Sequence, residues 1–581
     1  MSFLITFDEN RLDIRCKDRK TPSPMWTSSN RKKIFVGEII DGLPEDVCSC
    51  GWEQDAQKLE KYQGAFSVVS CKESMCYLAS FYGGIETLYY YCNKKKFMVS
   101  DNYWEIVKEV KPKYEDLDVE AIKKMMVLGY TTIEGNTFIK HCSILRPGHK
   151  VVYSSKDNNC VDEIYIEFRT KSKITDIDDA VSQIDRALDD AMKSIRRMCG
   201  DVTYGLGISG GLDSRVIPHY ALKNNMRLTG FNNCIKRPKT FLLSRSCKNA
   251  RKIAKIYGLQ YKEIEWTTKK LKEKKKLKLE FYPMGPQDSG TDICKYEVDE
   301  FPQFDVLLTG GSGTVIGATL HKDIETMSNE DIIDYIIRYY GRNMGNTVTT
   351  SRIQRGIEFI FGTKLDGNKK KNKCMDLVGD DVKNNVRYEI TQYVLERKQN
   401  GFTNFDILYD YGINVVSYQN RYGAYESRFG NKRSFSIYIP FLLRKCLDFS
   451  PELLEDRFVL EELIRKKIPE VSEIRAETFL DSPKKNGKRY YKLHRILLIV
   501  SYLLRGNGSY TYHYYYKKKE IQREFFSDMN NSNEWFYRIF PVQNKIKDIA
   551  KQDFKTFFSV WDMKQIIDVL EKREYEGFES I

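Results

Sequence analysis

The residues whose types and spacing could do chemistry stand together in one run, YGLGISGGLDSRVIPHY, from Tyr204 to Tyr220. Apolar residues lead into Ser209, Gly210, Gly211, Leu212, Asp213 and Ser214, after which a helical pattern resumes. Read as strand, glycine-rich turn and helix start, the run suits an anion. The two glycines are expected to take positive dihedrals and let the backbone approach a ligand, and Ser209 and Ser214 add hydroxyl donors. The helix would direct its unpaired N–H groups and positive dipole end at the turn, so a phosphate is the natural guest. Asp213 repels a phosphate but suits a magnesium ion that bridges it to one. Pro218 is expected within the first helical turns, where a missing N–H is best tolerated. A plain tight turn is the competing reading. The Gly-Lys-Ser/Thr of a Walker loop is missing, which argues against a kinase-like or GTPase-like site.

The elements around this run must hold it at the end of a strand. From Thr203 short apolar runs alternate with helical patterns: TYGLGIS, a helix after Asp213, LTGFNNC, the helical SRSCKNARKIAKIYG, QYKEIEW and later DVLLTGG. Such alternation predicts a parallel sheet with helices on both faces, whose ligands bind at the carboxyl ends of strands. Just upstream, Val181, Ile184, Leu188, Ala191 and Ile195 recur at helical spacing, with acids early and bases late. The first 150 residues or so read differently. FLITF, KIFVGEII, AFSVVSC, CYLASFYG, TLYYYC and KFMVS are short strands of an antiparallel kind, interrupted by one helix at LDVEAIKKMMVLGY. A further strand pair is expected across the turn Pro147-Gly148. Beyond about residue 325 helical patterns dominate. The boundary near 170 to 180 divides the chain into residues 1–172 and 173–581.

At 581 residues two or three cores are expected. Hydrophobic residues at 41% and charged residues at 30% exclude a disordered chain. No apolar run approaches the roughly 18 residues that a membrane span needs, and ILLIVSYLL reads as a core helix. The first residues lack the order of a signal peptide, so a cytoplasmic protein with reduced cysteines is expected. The 94 basic and 80 acidic side chains leave a net charge of +14. Runs such as KKLKEKKKLK read as solvated helix faces rather than a nucleic-acid surface, although the excess favours an anionic substrate such as ATP.

Ser209-Gly210-Gly211-Leu212-Asp213-Ser214 resembles the pyrophosphate-binding loop of the adenine nucleotide alpha-hydrolase group, which splits ATP into AMP and pyrophosphate. YQGAFSVVS, GGIETLYYY and GYTTIEGNTFIKHCSILRPGHKVVY are similar, in order and spacing, to the glutaminase-like domain of asparagine synthetases. The likeness spans roughly residues 30 to 480. It points to the group that contains those amidotransferases of asparagine biosynthesis, β-lactam synthetases and lasso-peptide cyclases. The resemblance implies an α/β protein: a β-rich, glutaminase-like αββα sandwich of the N-terminal-nucleophile type in 1–172. A doubly wound parallel-sheet ATP pyrophosphatase domain with a helical C-terminal part would occupy 173–581. It implies ATP and magnesium, a small-molecule or peptide carboxylate activated as an acyl-adenylate, and an amine or ammonia that attacks it. Ser209, Gly210, Gly211, Leu212, Asp213 and Ser214 would hold pyrophosphate, Asp213 the magnesium, and Leu206, Gly207, Ile208 and the GFNN segment would lie near adenosine. Gly310 and Gly311, in the turn after DVLLT, join the nucleotide set. Lys485, with Lys484 and Lys488 as competitors, would stabilise the adenylate, and Tyr425 with Glu426 would deprotonate the amine.

The chain departs from that family in three places. It begins Met1-Ser2-Phe3 where glutamine-dependent members expose a cysteine, which suggests a glutaminase relic. Thr314 stands where the family's magnesium-binding aspartate aligns, with Asp323 or Glu325 as possible substitutes. Pro440 and Phe441 match the family's later segment, but Ser436 and Tyr438 replace its Glu and Arg, and Arg444 follows. A weakened nucleotide-binding protein of the same fold is therefore the alternative to an active ligase.

Overall fold

Side-chain alternation along the first strands builds two facing sheets. In β1 (Ser2–Asp8), Phe3, Ile5 and Phe7 join one buried cluster and Leu4 another, as the two-residue period of a strand demands. The computed structural model describes residues 2–8, 11–17, 25–39, 42–81, 87–167, 174–234, 241–265, 302–308, 310, 324–339, 347–348, 369–370, 375–412, 415, 436–438, 458–474, 519–530, 534–541 and 554–578. The further strands of this part are β2 (Arg11–Lys17), β3 (Met25–Thr27), β4 (Lys33–Ile39), β5 (Gly64–Lys72), β6 (Met75–Ser80), β7 (Tyr89–Cys92), β8 (Lys96–Ser100), β9 (Cys142–Ile144), β10 (His149–Ser154) and β11 (Asn159–Ile164). They form antiparallel sheets in the orders β2-β1-β8-β7-β9 and β11-β10-β6-β5-β4-β3.

Between the sheets, Tyr153 of β10 stacks on Phe97 of β8 at 4.3 Å and meets Phe7 edge-on at 5.6 Å. The opposite faces, through Leu4, Phe35, Phe66 and Met98, share a second core with three helices, α1 (Pro44–Ser49), α2 (Tyr103–Val110) and α3 (Val119–Leu128). Only α3 is the helix expected from the sequence. α2 starts where the Asn102 side chain accepts the Trp104 N–H, and it buries Trp104, Ile106 and Val107.

The expected strand pair across Pro147-Gly148 does not form. β9 pairs with β7 in one sheet and β10 with β6 and β11 in the other, so this turn links the sheets. Gly148 is required there: its φ is +76°, and a Cβ would lie 2.4 Å from the Ile166 carbonyl oxygen.

The second part is a five-stranded, wholly parallel sheet in the order β14-β13-β12-β15-β18. Its strands are β12 (Thr203–Gly207), β13 (Arg227–Cys234), β14 (Gln260–Glu265), β15 (Val306–Leu308) and β18 (Ser436–Tyr438), with a small antiparallel pair, β16 (Thr347–Val348) and β17 (Lys369–Lys370), intervening in the chain. The helices of this region are α4 (Ile177–Cys199), α5 (Asp213–Lys223) and α6 (Phe241–Ile256). The apolar stripe read in α4 is buried, and Asp176 caps its start by accepting from the N–H groups of Asp178 and Asp179.

Later helices α7 (Asn329–Tyr339), α8 (Met375–Gln399) and α9 (Asn404–Asp410) pack onto the rest. The Tyr130 and Tyr411 hydroxyls meet at 2.7 Å, and Lys124 of α3 reaches Glu389 of α8 at 2.5 Å. Cys16, Cys48, Cys50, Cys71, Cys76, Cys92, Cys142, Cys160, Cys199 and Cys247 are free thiols. No helix among the described residues is long and apolar enough to cross a membrane. The apolar run ILLIVSYLL lies outside them.

Candidate nucleotide site

β12 ends where the strand order of the parallel sheet reverses. From it the chain passes through α5 to β13 and then β14 on one side, whereas β15 and β18 lie on the other. The carboxyl ends of β12 and β15 therefore flank the switch point at which open parallel sheets take ligands. Ser209 to Ser214 follow β12 there, and Gly310 lies just beyond β15.

Close backbone approach holds the two turns together. A Cβ on Gly310 would stand 3.2 Å from both the carbonyl carbon and the Cβ of Asp213, and 3.3 Å from the Ser214 nitrogen. Glycine at 310 thus lets the β15 turn close on the start of α5. Within the loop the two serines brace one another. Ser214 Oγ is buried, accepts the Ser209 N–H at 3.1 Å and donates to the Ser209 carbonyl at 3.0 Å. Ser209 Oγ, on an exposed residue, accepts the Gly211 N–H at 3.0 Å.

Neither Gly210 nor Gly211 has a positive φ, so the expected reason for these glycines is wrong. At Gly211 the missing side chain leaves room for Ser209 Oγ, which would lie 3.1 Å from a Cβ. Pro218 also differs from expectation. It is the sixth residue of α5, past the first turn, and is buried within the helix.

Arg215 is the positioning residue that the sequence reading passed over. Its side chain is fully buried, donates to the Gly210 carbonyl at 3.0 Å and reaches across the fold to the Ile474 carbonyl. The Tyr257 hydroxyl, held protonated because burial pushes its pKa up, donates to the Arg215 carbonyl at 3.0 Å. The back of the loop is therefore clamped by charge-assisted and neutral hydrogen bonds, while Ser209 on it is exposed. Leu212 supplies no side-chain cap to α5, and its carbonyl accepts the Arg215 N–H at 3.0 Å, so the helix begins with its positive end toward the loop.

Leu206, Ile208 and Leu212 point into the core, and the Ile208 N–H donates to the Phe231 carbonyl at 2.7 Å. Gly207 pairs in register with Phe231, so Asn232 in GFNN stands one residue beyond the end of β12. Asn232 is 7% exposed, and its buried Nδ2 donates no hydrogen bond. A buried amide donor of this kind, beside a loop of serines, fits a polar ligand such as a nucleotide.

The donor set also fits magnesium in a limited way. Asp213 opens α5 beside the two serine hydroxyls, and no group of three His, Cys, Asp or Glu that could hold a metal occurs among the described residues. One carboxylate suffices for a magnesium that takes its remaining ligands from phosphates and water. Glu325, the alternative second carboxylate, holds a backbone donor. It is exposed and accepts the Asn404 N–H at 3.1 Å, at the start of α9. Lys485, Tyr425, Glu426, Gly311 and Thr314, with Lys484, Lys488 and Asp323, lie outside the described residues.

No protein-family model matches the chain, and no curated protein matches it. Among solved structures, the glutamine phosphoribosylpyrophosphate amidotransferase from B. subtilis, complexed with ADP and GMP, aligns at 9% identity and a TM-score of 0.18. The alignment covers 45% of this chain and 58% of that one. Glutamine-dependent NAD+ synthetase from Acinetobacter baumannii, in complex with ADP, aligns at 12% identity and a TM-score of 0.16, over 46% of this chain and 44% of that one. Likeness at this level identifies neither a family nor an activity. The resemblance to asparagine synthetases rests on the motifs of the chain itself.

Proposed function

We propose that the protein is an ATP-dependent, AMP-forming amide-bond ligase of the asparagine-synthetase type. The observation that carries this reading is the Ser209–Ser214 loop, seated after the central strand at the sheet's switch point and closed from the other side by Gly310. In the reaction, a substrate carboxylate oxygen bonds to the α-phosphorus of ATP as the bond to the β-phosphate bridge breaks, releasing pyrophosphate. An amine nitrogen then bonds to the acyl carbon, AMP leaves with the carboxylate oxygen, and the amine loses a proton. The loop N–H groups, the Ser209 hydroxyl and the α5 N-terminus would hold the departing pyrophosphate, a task suited to fixed donors. Magnesium, when bound through Asp213, would neutralise the charge that builds on the leaving group.

The paired antiparallel sheets with helices on their outer faces support the reading of 1–172 as a glutaminase-like αββα domain, with 173–581 as the ATP pyrophosphatase and its helical continuation. The carboxylate is a small molecule or a peptide end, and Lys485, Tyr425 and Glu426 are the proposed adenylate-stabilising and amine-activating groups. A magnesium-dependent ATP–pyrophosphate exchange assay over a panel of carboxylates, aspartate and peptides included, tests the ligase. Exchange with at least one of them is expected, and silence across the panel together with no magnesium-ATP binding would sink the reading. The second reading, a weakened nucleotide-binding protein, draws on Thr314 at the family's aspartate position. A large gain in exchange on Thr314→Asp favours it, whereas loss of an existing activity assigns Thr314 to a working site.

A further inference from the structure

A cavity of about 430 Å³ opens between the turn that links the two antiparallel sheets and helix α8, and it shares no residue with the loop after β12. On α8, Glu389, Gln392, Tyr393, Glu396 and Arg397 border it. Their spacing of three, four, seven and eight residues is one helical face, and it is a polar face where a core contact would be apolar. Gln392 and Glu396 on this face are exposed, Tyr393 and Arg397 meet Asp410, and Glu389 lies between them and α3.

The two arginines at the cavity are each in an ion pair, although Arg146 Nε is buried without an acceptor. Arg146 bonds to Asp162 at 2.9 Å, and Arg397 bonds to Asp410 at 3.2 Å. Acceptors are in surplus. Glu389 gives Oε1 to Lys124 at 2.5 Å, but its Oε2 is buried and accepts no hydrogen bond. Burial, with the nearby charges of Glu134 and Glu120, raises the Glu389 pKa, the signature of a carboxylate short of positive charge.

His149 makes the decisive contribution. Its residue is 6% exposed, its Nδ1 lies 2.7 Å from Asp162 Oδ1, and its ring borders the cavity. Asp162 is an anion, pulled down to about 2 mainly by His149 and Arg146 against the effect of burial, so Nδ1–H donates to it. Nε2 is then the ring atom left for a ligand. Burial lowers the His149 pKa, which keeps Nε2 an acceptor at neutral pH. Glu389 Oε2 and His149 Nε2 are thus acceptors offered to a guest, beside one buried donor without a partner, the Arg146 Nε.

We propose that this cavity binds a small organic amine, whose ammonium group is held by Glu389, Glu134 and His149 Nε2 and whose carbon chain runs toward Tyr388 at the mouth. Tyr388 is 64% exposed and offers its ring to such a chain. The same ammonium chemistry could arrive on a free amine or on a lysine side chain. The proposal does not rest on the ligase reading, since it requires neither ATP nor the loop.

Isothermal titration of the full chain at neutral pH without nucleotide provides the test, with n-butylamine and 1,4-diaminobutane as probes. Butanol and butanoate serve as neutral and anionic counterparts, and Nα-acetyl-lysine methylamide represents a protein lysine. Both amines should bind and the two counterparts should not. Tighter binding of the lysine derivative than of n-butylamine assigns the source to a protein, and weaker binding assigns it to a free amine. Glu389→Gln should weaken amine binding at least about tenfold, the worth of one charge-assisted hydrogen bond. Glu134→Gln, on an exposed side chain whose change does not threaten the fold, should weaken it about threefold or more by loss of one nearby charge. Absence of amine binding at about 10 mM, equal binding of butanol, or unchanged affinity in folded Glu134→Gln would overturn the proposal.

Discussion

The loop after β12 and the cavity beside His149 are opposite in sign. The first presents N–H groups, the Ser209 hydroxyl and the Asn232 amide, and asks for an anion. The second presents a carboxylate and an imidazole acceptor, and asks for a cation. The two also differ in how they are supported. The loop is clamped from behind by a buried arginine that touches only backbone carbonyls in its described bonds, whereas the cavity is framed by ion pairs between side chains, one of which, Lys124–Glu389, joins residues 265 positions apart. A backbone cradle can be written in six consecutive residues. A cavity of paired charges cannot.

Removal of the clamp should give the largest effect on this contrast. Arg215→Met fills similar volume but leaves the Gly210 and Ile474 carbonyls without their charged donor, at a cost of about 3 kcal/mol in denaturant unfolding. A change below about 0.5 kcal/mol would show that the loop needs no support from behind.

Asp162 is the equivalent support on the cavity side. Its folded pKa of about 2 lies below the usual 3.8, so its contribution is fully present above the unfolded value and is lost as pH falls from there through about 2. Asp162→Asn should therefore lower stability at pH 7 by about 1 kcal/mol, the shift discounted for solvent screening and for a His149 that is neutral there, and flatten the acid limb of the unfolding curve in that window. His149 acts in the same direction. Its pKa is lowered on folding, so its charging opposes the folded state as pH drops below about 6.5.

Smaller effects are expected from single hydroxyls. Ser214→Ala removes the brace to Ser209 and should cost about 1 to 1.5 kcal/mol, with weaker nucleotide binding measured by titration. Tyr130→Phe breaks the buried hydroxyl pair with Tyr411, which ties the sandwich to the segment after α9, and should cost about 1 kcal/mol while leaving nucleotide binding unchanged. Equal effects of these two variants on nucleotide binding would erase the distinction between the sites.

The parallel sheet was legible because its strands are short apolar runs separated by helical patterns, and the position of the loop follows from that order. The switch point itself was not, since strand order depends on where β15 and β18 return to the sheet. Pro147-Gly148 signalled a turn, but a turn between paired strands and a turn between sheets look alike in sequence. Arg215 gave no signal because its partners at Val471 and Ile474 are 256 and 259 residues away. The two glycines of the loop were read incorrectly as carriers of positive dihedrals, and what Gly211 makes room for is the Ser209 hydroxyl of its own loop.

Gly310 permits the most direct test of the nucleotide site, because it lies on the opposite turn and supplies no side chain of its own. Magnesium-ATP binding to wild type and Gly310→Val should be compared by isothermal titration, with circular dichroism as the check on folding. A Cβ 3.2 Å from Asp213 makes the two turns give by a few tenths of an ångström, and the larger valine side chain crowds the same space, so wild type should bind and the folded variant should bind at least about tenfold more weakly. No binding by wild type, or equal binding by both, would contradict the placement of the nucleotide between β12 and β15.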